Sequence, residues 1–130
     1  MSEKGERPLA TPVCNLEYLM VNLKRNRVAA ERLVTLFLEN QPLLVARMEA
    51  AQNKGDLLAL KDVVHDIRSN CVLFSAQRAV DLARDIEFAL HEAAHTEGLI
   101  VDWAGKTAAL REALNDMAHE LSQYHQQQQP

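Results

Sequence analysis

The chain has 130 residues and a formal net charge of −4, with 48% of its residues hydrophobic and 25% charged. This length predicts one domain with a modest core, and the composition is that of a globular protein in water. The acidic net charge argues against general nucleic-acid binding, and no apolar run is long enough to predict a transmembrane helix.

The two ends of the chain differ in character from its middle. Residues 1–13 carry two prolines and a glycine with few apolar groups, which predicts a flexible N-terminal lead-in without the apolar segment of a signal peptide. Residues 126–130 form a Gln-rich tail that is predicted to be disordered. Cys14 and Cys71 are isolated thiols and not a disulfide framework, so we expect a cytoplasmic protein whose single domain spans residues 14–125.

Five helices are predicted in chain order, because apolar residues recur at spacings of three and four. Asn15 can cap a first, short helix, and a second runs from about residue 27 to residue 53. Pro42 lies inside the second helix, which predicts a kink there or a break just before it. Gly55 suits the end of this helix, and Asp56 suits the N-cap of the third.

The remaining helices complete an all-α fold. The third helix is expected to end near residue 74 or 75, where Ser75 or a neighbour starts the fourth, and the fourth stops before Gly98. Asp102 can cap the fifth helix, in which Trp103 and Tyr124 lie on the apolar stripe and are expected in the core. Short turns between amphipathic helices predict an antiparallel four-helix bundle with an additional short N-terminal helix.

The third helix carries the most informative histidine. Its apolar stripe consists of Leu57, Leu60, Val64, Ile67 and Cys71. At 100° per residue, His65 projects about 130° away from the centre of that stripe and therefore faces water. Lys61, Arg68 and Ser69 lie one turn or less away on the same surface, so this face could hold a phosphoryl group.

The sequence around His65 resembles the histidine-containing phosphotransfer (HPt) domains of phosphorelays, whose core motif reads roughly A-H-x-L-K-G. The matching segments here are Val64-His65-Asp66-Ile67-Arg68-Ser69, then Ser75-Ala76, then Ile86-Glu87. Upstream, Leu36-Phe37-Leu38-Glu39, Leu43-Leu44 and Gly55-Asp56 also fit. The resemblance extends over about residues 15 to 120.

The resemblance implies a role for each matching residue. His65 would accept the phosphoryl group, and Arg68 would neutralise it in place of the family's usual lysine. Glu87 falls where the family carries Gln or Glu beside the imidazole, and would orient that ring. Ser69 and Ser75 stand where two glycines are usual.

The same comparison implies partners. The chain would receive a phosphoryl group from a receiver-domain aspartate of a hybrid sensor kinase or a response regulator, and pass it to another receiver. The receiver would supply Mg²⁺, so the chain would need no cofactor of its own, and it is expected to be a monomer. The docking surface is expected to consist of Leu58, Lys61, Asp62, Ser69 and Val72, because exposed aliphatic groups beside a reactive group often mark an interface.

The residues around His65 also support phosphotransfer without the resemblance. A neutral imidazole nitrogen is a competent nucleophile near physiological pH, and a nearby cation stabilises a phosphoryl group. The sequence has no Gly-rich phosphate loop and no kinase motif, so transfer from ATP is not expected. A non-catalytic helical adaptor that binds a partner through the same face is the alternative.

A second motif competes with this interpretation. The segment from His91 to Gly98 fits H-E-x-x-H-x-x-G, the start of a metalloprotease zinc site, with His91 and His95 on one helical face. The next ligand is expected at position 101, which is Val101. We therefore interpret both histidines as solvated surface and predict no metal site.

Overall fold

Five helices and no strand make up residues 12–128, the part of the chain that the computed structural model describes. They are α1 (Leu16–Asn22), α2 (Arg27–Lys54), α3 (Leu57–Leu73), α4 (Gln77–His95) and α5 (Trp103–Gln127). Helices α2 to α5 form a ring in which α3 packs on α2 and α4, and α5 packs on the same two helices, while α1 rests on α2. Consecutive helices joined by short turns run antiparallel, so the predicted four-helix bundle is confirmed.

The helix starts follow the capping residues that the sequence predicted. Asn15, Asp56 and Asp102 each accept a hydrogen bond from the backbone N–H three residues later, at 2.9–3.0 Å. Gly55 ends α2 with a left-handed φ of 68°, a conformation that costs glycine little because it has no Cβ. These local signals set the starts of α1, α3 and α5 and the end of α2.

Pro42 does not break α2, contrary to one of the two outcomes expected there. The helix continues from Arg27 to Lys54, with the Pro42 ring on its exposed side. Gln41 and Leu44 beside it are buried, and the Gln41 side-chain amide donates to Asn115 Oδ1 on α5 at 2.9 Å. Packing on both sides of the proline therefore compensates for the backbone hydrogen bond that it removes.

The turn between α3 and α4 shows which residue starts α4, for which the sequence allowed Ser75 or a neighbour. Ser75 does not start α4; it lies in the left-handed region with φ 51°, and α4 begins at Gln77. This conformation favours glycine, which explains why the HPt domains that the sequence resembles usually have a glycine at this position. Leu57, which was assigned to the core stripe, is exposed instead, since it lies in the first turn of α3 at the rim of the bundle.

The C-terminal end also departs from the prediction. Gln126 and Gln127 belong to α5, because glutamine is a good helix former, while residues 129 and 130 lie outside the described residues. His125 near the end of α5 is partly buried and pairs with Glu31 on α2.

The core fills the space between α2, α3, α4 and α5. Phe37 and Phe74 meet edge to face, with ring centroids 5.5 Å apart. Cys14 and Cys71 are both buried free thiols, and burial raises the pKa of each, that of Cys71 to about 12. The other large, fully buried side chains are Leu19, Val34, Met48, Leu60, Ile67, Ile86, Leu110, Leu114, Met117 and Leu121. Trp103 and Tyr124 only border this core, where they are partly buried.

The segment before α1 is held against the bundle. The Glu120 carboxylate accepts hydrogen bonds from the backbone N–H groups of Val13 at 2.8 Å and Cys14 at 2.7 Å. The Asn15 N–H donates to the carbonyl of Phe74 at 2.9 Å. Val13 was placed in the flexible lead-in, but these contacts anchor it; residues 1–11 of that lead-in lie outside the described residues.

Candidate functional site

His65 lies on the face of α3 that turns away from the core. The neighbouring Val64 and Ile67 are fully buried, while the His65 side chain is 62% exposed. This is the orientation predicted from the helical period, because one face of α3 must pack against both α2 and α4. An incoming group can therefore approach the imidazole from solvent.

An ion pair between α3 and α4 lies beside this imidazole. Arg68 Nε donates to Glu87 Oε1 at 2.5 Å, and these two side chains are only 27% and 25% exposed. The second carboxylate oxygen, Oε2, is 3.8 Å from His65 Nδ1. This distance is too long for a hydrogen bond but close enough for an electrostatic attraction. The structure thus brings together the three residues that the resemblance placed at the reaction centre.

A groove of about 800 Å³ opens next to His65 between the N-terminal half of α3 and the C-terminal half of α4. Its walls combine aliphatic groups with the polar groups of the site. The lining residues are Leu57, Leu58, Lys61, Asp62, His65, Asp66, Glu87, Leu90, His91, Ala93, Ala94 and His95. An apolar concave surface with a few convergent polar groups is typical of a binding site.

The five residues expected at the docking surface are all exposed, but only three of them line the groove. Leu58, 71% exposed, lies in the groove together with Lys61 and Asp62. Val72, 46% exposed, and Ser69 lie beyond the groove on the other side of His65. Together they form a strip along α3, with the imidazole near its middle.

Ser69 is tied to its own helix. Its hydroxyl donates to the backbone carbonyl of His65 at 3.2 Å, one turn earlier. The side chain therefore stays close to the helix axis and adds little bulk beside the imidazole.

The matching family model is that of the Hpt domain, which covers residues 32–124. This chain belongs to the Hpt domain family. Its function is accordingly histidine phosphotransfer in phosphorelay signalling, and Hpt domains interact with receiver domains in phosphorelays.

Solved structures agree on the fold. The HPT domain of an Hpt sensor hybrid histidine kinase from Shewanella matches with a TM-score of 0.76 and 16% identity, over 91% of this chain and 97% of that one. Histidine-containing phosphotransfer protein B from Pseudomonas aeruginosa PAO1 matches with a TM-score of 0.77 and 12% identity, over 92% of this chain and 100% of that one. No curated protein matches the chain.

The metalloprotease motif does not assemble a three-ligand site. His91 and His95 lie on the exposed face of α4, and the part of the chain described by the structure has no cluster of three His, Cys, Asp or Glu side chains able to hold a metal ion. Within the same residues, no helix is both long and apolar enough to cross a membrane.

Several groove residues were not predicted from the sequence. Asp66 follows His65 directly and pairs with Arg47 of α2 at 3.2 Å, and Leu90 and Ala94 form the α4 wall. Glu87, His91 and Ala94 recur at spacings of four and three, which is a signal that they share one face of α4. Which face of α4 meets α3 depends on how the two helices pack, so the sequence pattern alone did not identify the groove.

Proposed function

We propose that His65 is the phosphoacceptor and that the chain relays a phosphoryl group between receiver-domain aspartates through it. The observation that carries the proposal is the exposed imidazole of His65 beside the Arg68–Glu87 pair, in a chain of the Hpt domain family. The family assigns the type of reaction. The geometry supports the assignment of the residue, because the His65 imidazole is open to solvent and has both an anion and a cation within reach.

The transfer step requires one nitrogen of the ring to be free. With its proton on Nδ1, facing Glu87, the imidazole presents the lone pair of Nε2 to solvent. Nε2 attacks the phosphorus of a receiver's aspartyl phosphate, the P–O bond to the aspartate breaks, and the aspartate leaves as a carboxylate. The ring then carries the phosphoryl group and a positive charge, which the Glu87 carboxylate stabilises.

Arg68 serves two groups in this proposal. Its Nε orients Glu87, which in turn orients the ring. Among the described residues, its terminal Nη groups make no hydrogen bond, so they can donate to the phosphoryl oxygens in the product. Arg68 therefore couples the orientation of the imidazole to the stabilisation of the phosphohistidine.

The receiver is proposed to dock along the strip formed by Leu58, Lys61, Asp62, Ser69 and Val72. The two aliphatic side chains flank the imidazole on either side, and Lys61 lies one turn before it. Substitution Ser69→Tyr should block transfer by its bulk, while Ser69→Gly should permit it.

The setting of the reaction belongs to the same proposal. We propose that the receivers belong to a hybrid sensor kinase, a response regulator or both, and that they supply the Mg²⁺ that the reaction uses. The chain itself then acts as a monomer in the cytoplasm without a cofactor of its own.

Transfer from a receiver tests the assignment of His65. A receiver domain carrying radioactive aspartyl phosphate is mixed with the wild-type chain, with His65→Gln and with the matched control His119→Gln, which replaces an exposed histidine on α5. We expect acid-labile label on the wild type and the control and none on His65→Gln, with the same helix content for all three by circular dichroism. Label on His65→Gln would show that His65 is not the acceptor.

The same experiment distinguishes a relay from the adaptor alternative. If none of the proteins takes up label from any receiver of the host but one receiver still binds the chain, the chain acts as an adaptor. If label transfers onward from the chain to a second receiver, the relay is established.

A further inference from the structure

His91 and His95 form a pair on the wall of the groove that contains His65. They are one helical turn apart on α4, both are exposed, and their ring centroids are 4.3 Å apart. Neither ring takes part in the transfer chemistry proposed above. The pair therefore calls for a separate explanation.

The separation of the two rings is compatible with a shared metal ion. Imidazole nitrogens bind divalent transition metals at about 2.0–2.1 Å, which places each ring centroid about 3.2 Å from the metal. Two such rings at about 90° around the ion have centroids about 4.5 Å apart, while a tetrahedral angle gives about 5.2 Å. The observed 4.3 Å is close to the 90° value, which occurs in square-planar and octahedral sites.

One of the two rings is already held in the tautomer that a metal ligand needs. His95 Nδ1 is 2.8 Å from the backbone carbonyl oxygen of His91. Since a carbonyl oxygen can only accept, Nδ1 carries the proton and the lone pair lies on Nε2. A histidine that binds a metal usually donates its other ring N–H to a carboxylate or a backbone carbonyl in this manner.

No other two histidines of the described chain have neighbouring rings. His65 lies on α3, His119 lies on α5 and His125 is paired with Glu31, while Cys14 and Cys71 are buried. Among residues 12–128, two imidazole rings therefore lie side by side only at His91 and His95.

We propose that His91 and His95, which the sequence pattern led us to interpret as solvated surface without a metal site, form an exchangeable binding site for a divalent transition-metal ion in this groove. Two protein ligands leave several coordination positions open to water, so the ion can exchange with ions in solution. The general order of affinities of nitrogen ligands favours Cu²⁺ over Ni²⁺ and Zn²⁺. This site goes beyond phosphotransfer, and it can be tested without a receiver.

Isothermal titration with Cu²⁺, Ni²⁺ and Zn²⁺ tests the proposal on the full chain, without an affinity tag, in a buffer that does not bind metals. The variants are His91→Ala, His95→Ala, His65→Gln and the control His119→Ala, each with its helix content checked by circular dichroism. We expect one ion per wild-type chain, with Cu²⁺ bound most tightly. Each of the two α4 variants should weaken the binding by at least about tenfold, and the control should not.

Paramagnetic broadening locates the bound ion. Substoichiometric Cu²⁺ should broaden the amide signals of the C-terminal half of α4 and the facing half of α3 in NMR spectra. Unchanged affinity in His91→Ala and His95→Ala would overturn the proposal, as would a loss of binding in His65→Gln alone. Broadening centred on α5 or on the N-terminal residues would overturn it as well.

Discussion

The Arg68–Glu87 pair allows a quantitative test of how α3 and α4 build the site. Both side chains are about three-quarters buried, and the bond between Nε and Oε1 is short and charge-assisted. Hydrogen bonds to charged groups contribute about 1.5–3 kcal/mol when buried, while exposed ion pairs contribute about 0.2–1 kcal/mol. At this intermediate burial, we expect a coupling free energy of about 1–2 kcal/mol between the two residues.

A double-mutant cycle measures this coupling. The free energy of unfolding is determined by urea denaturation, followed by circular dichroism at 222 nm, for the wild type, Arg68→Ala, Glu87→Ala and the double variant. Each single substitution leaves one charge partly buried without its partner, so the double variant should lose less stability than the sum of the single variants. A coupling of this size corresponds to about 4–8 °C in melting temperature for a domain of this length.

A second ion pair of the same chain provides the matched control. Arg47 and Asp66 also join two helices, but their bond is longer, at 3.2 Å, and each side chain is about half exposed. Their coupling should stay below about 0.5 kcal/mol. If the Arg68–Glu87 cycle gives a coupling below about 0.3 kcal/mol, the pair does not hold the site together and the reasoning is refuted.

The lifetime of the phosphohistidine separates the two roles proposed for Arg68. Arg68→Ala should shorten the lifetime or slow transfer, because the cation that pairs with Glu87 beside the imidazole is lost. Arg68→Lys should restore part of the lost lifetime or rate. Glu87→Ala removes the carboxylate that stabilises the charged ring but leaves the guanidinium in place, so it should shorten the lifetime less than Arg68→Ala does. Equal lifetimes for the wild type and Arg68→Ala would remove Arg68 from the mechanism.

Three further predictions concern docking, the turn after α3 and the buried thiols. Leu58→Asp and Val72→Asp should each weaken receiver binding by about tenfold with little change in melting temperature. Leu43→Asp on α2, whose exposure lies between those of Leu58 and Val72, should leave binding intact, and NMR shift mapping with a receiver checks the surface. Ser75→Gly should raise the free energy of unfolding by about 0.5–1 kcal/mol in urea denaturation, because it relieves a left-handed serine, and a loss of stability would contradict this. The folded chain keeps the pKa of Cys71 at about 12 against an ordinary 9.0, so just above pH 9 only the unfolded chain releases this proton. Stability should therefore fall as the pH rises from there. Cys71→Ala should make the decline less steep, and the part that remains belongs to Cys14, whose pKa burial also raises.

Much of the fold follows from local features of the sequence. Apolar residues at spacings of three and four predicted the helices, and Asn15, Asp56 and Asp102 predicted where three of them begin. These signals work because a helix end needs only its own neighbouring residues to satisfy its free N–H groups. The outward direction of His65 also follows from the period of a single helix, since one face of α3 has to be buried.

Contacts between distant segments decided the remaining features. Glu87 lies 19 residues after Arg68 in the chain, so its approach to the imidazole depends on the register between α3 and α4. The same register opens the groove and leaves Leu57 exposed at its rim. The contact of Val13 with Glu120 spans 107 residues, a separation over which the helical period carries no information. Local chemistry thus determined the helices and the orientation of His65, whereas the packing of the helices determined which charged groups surround it.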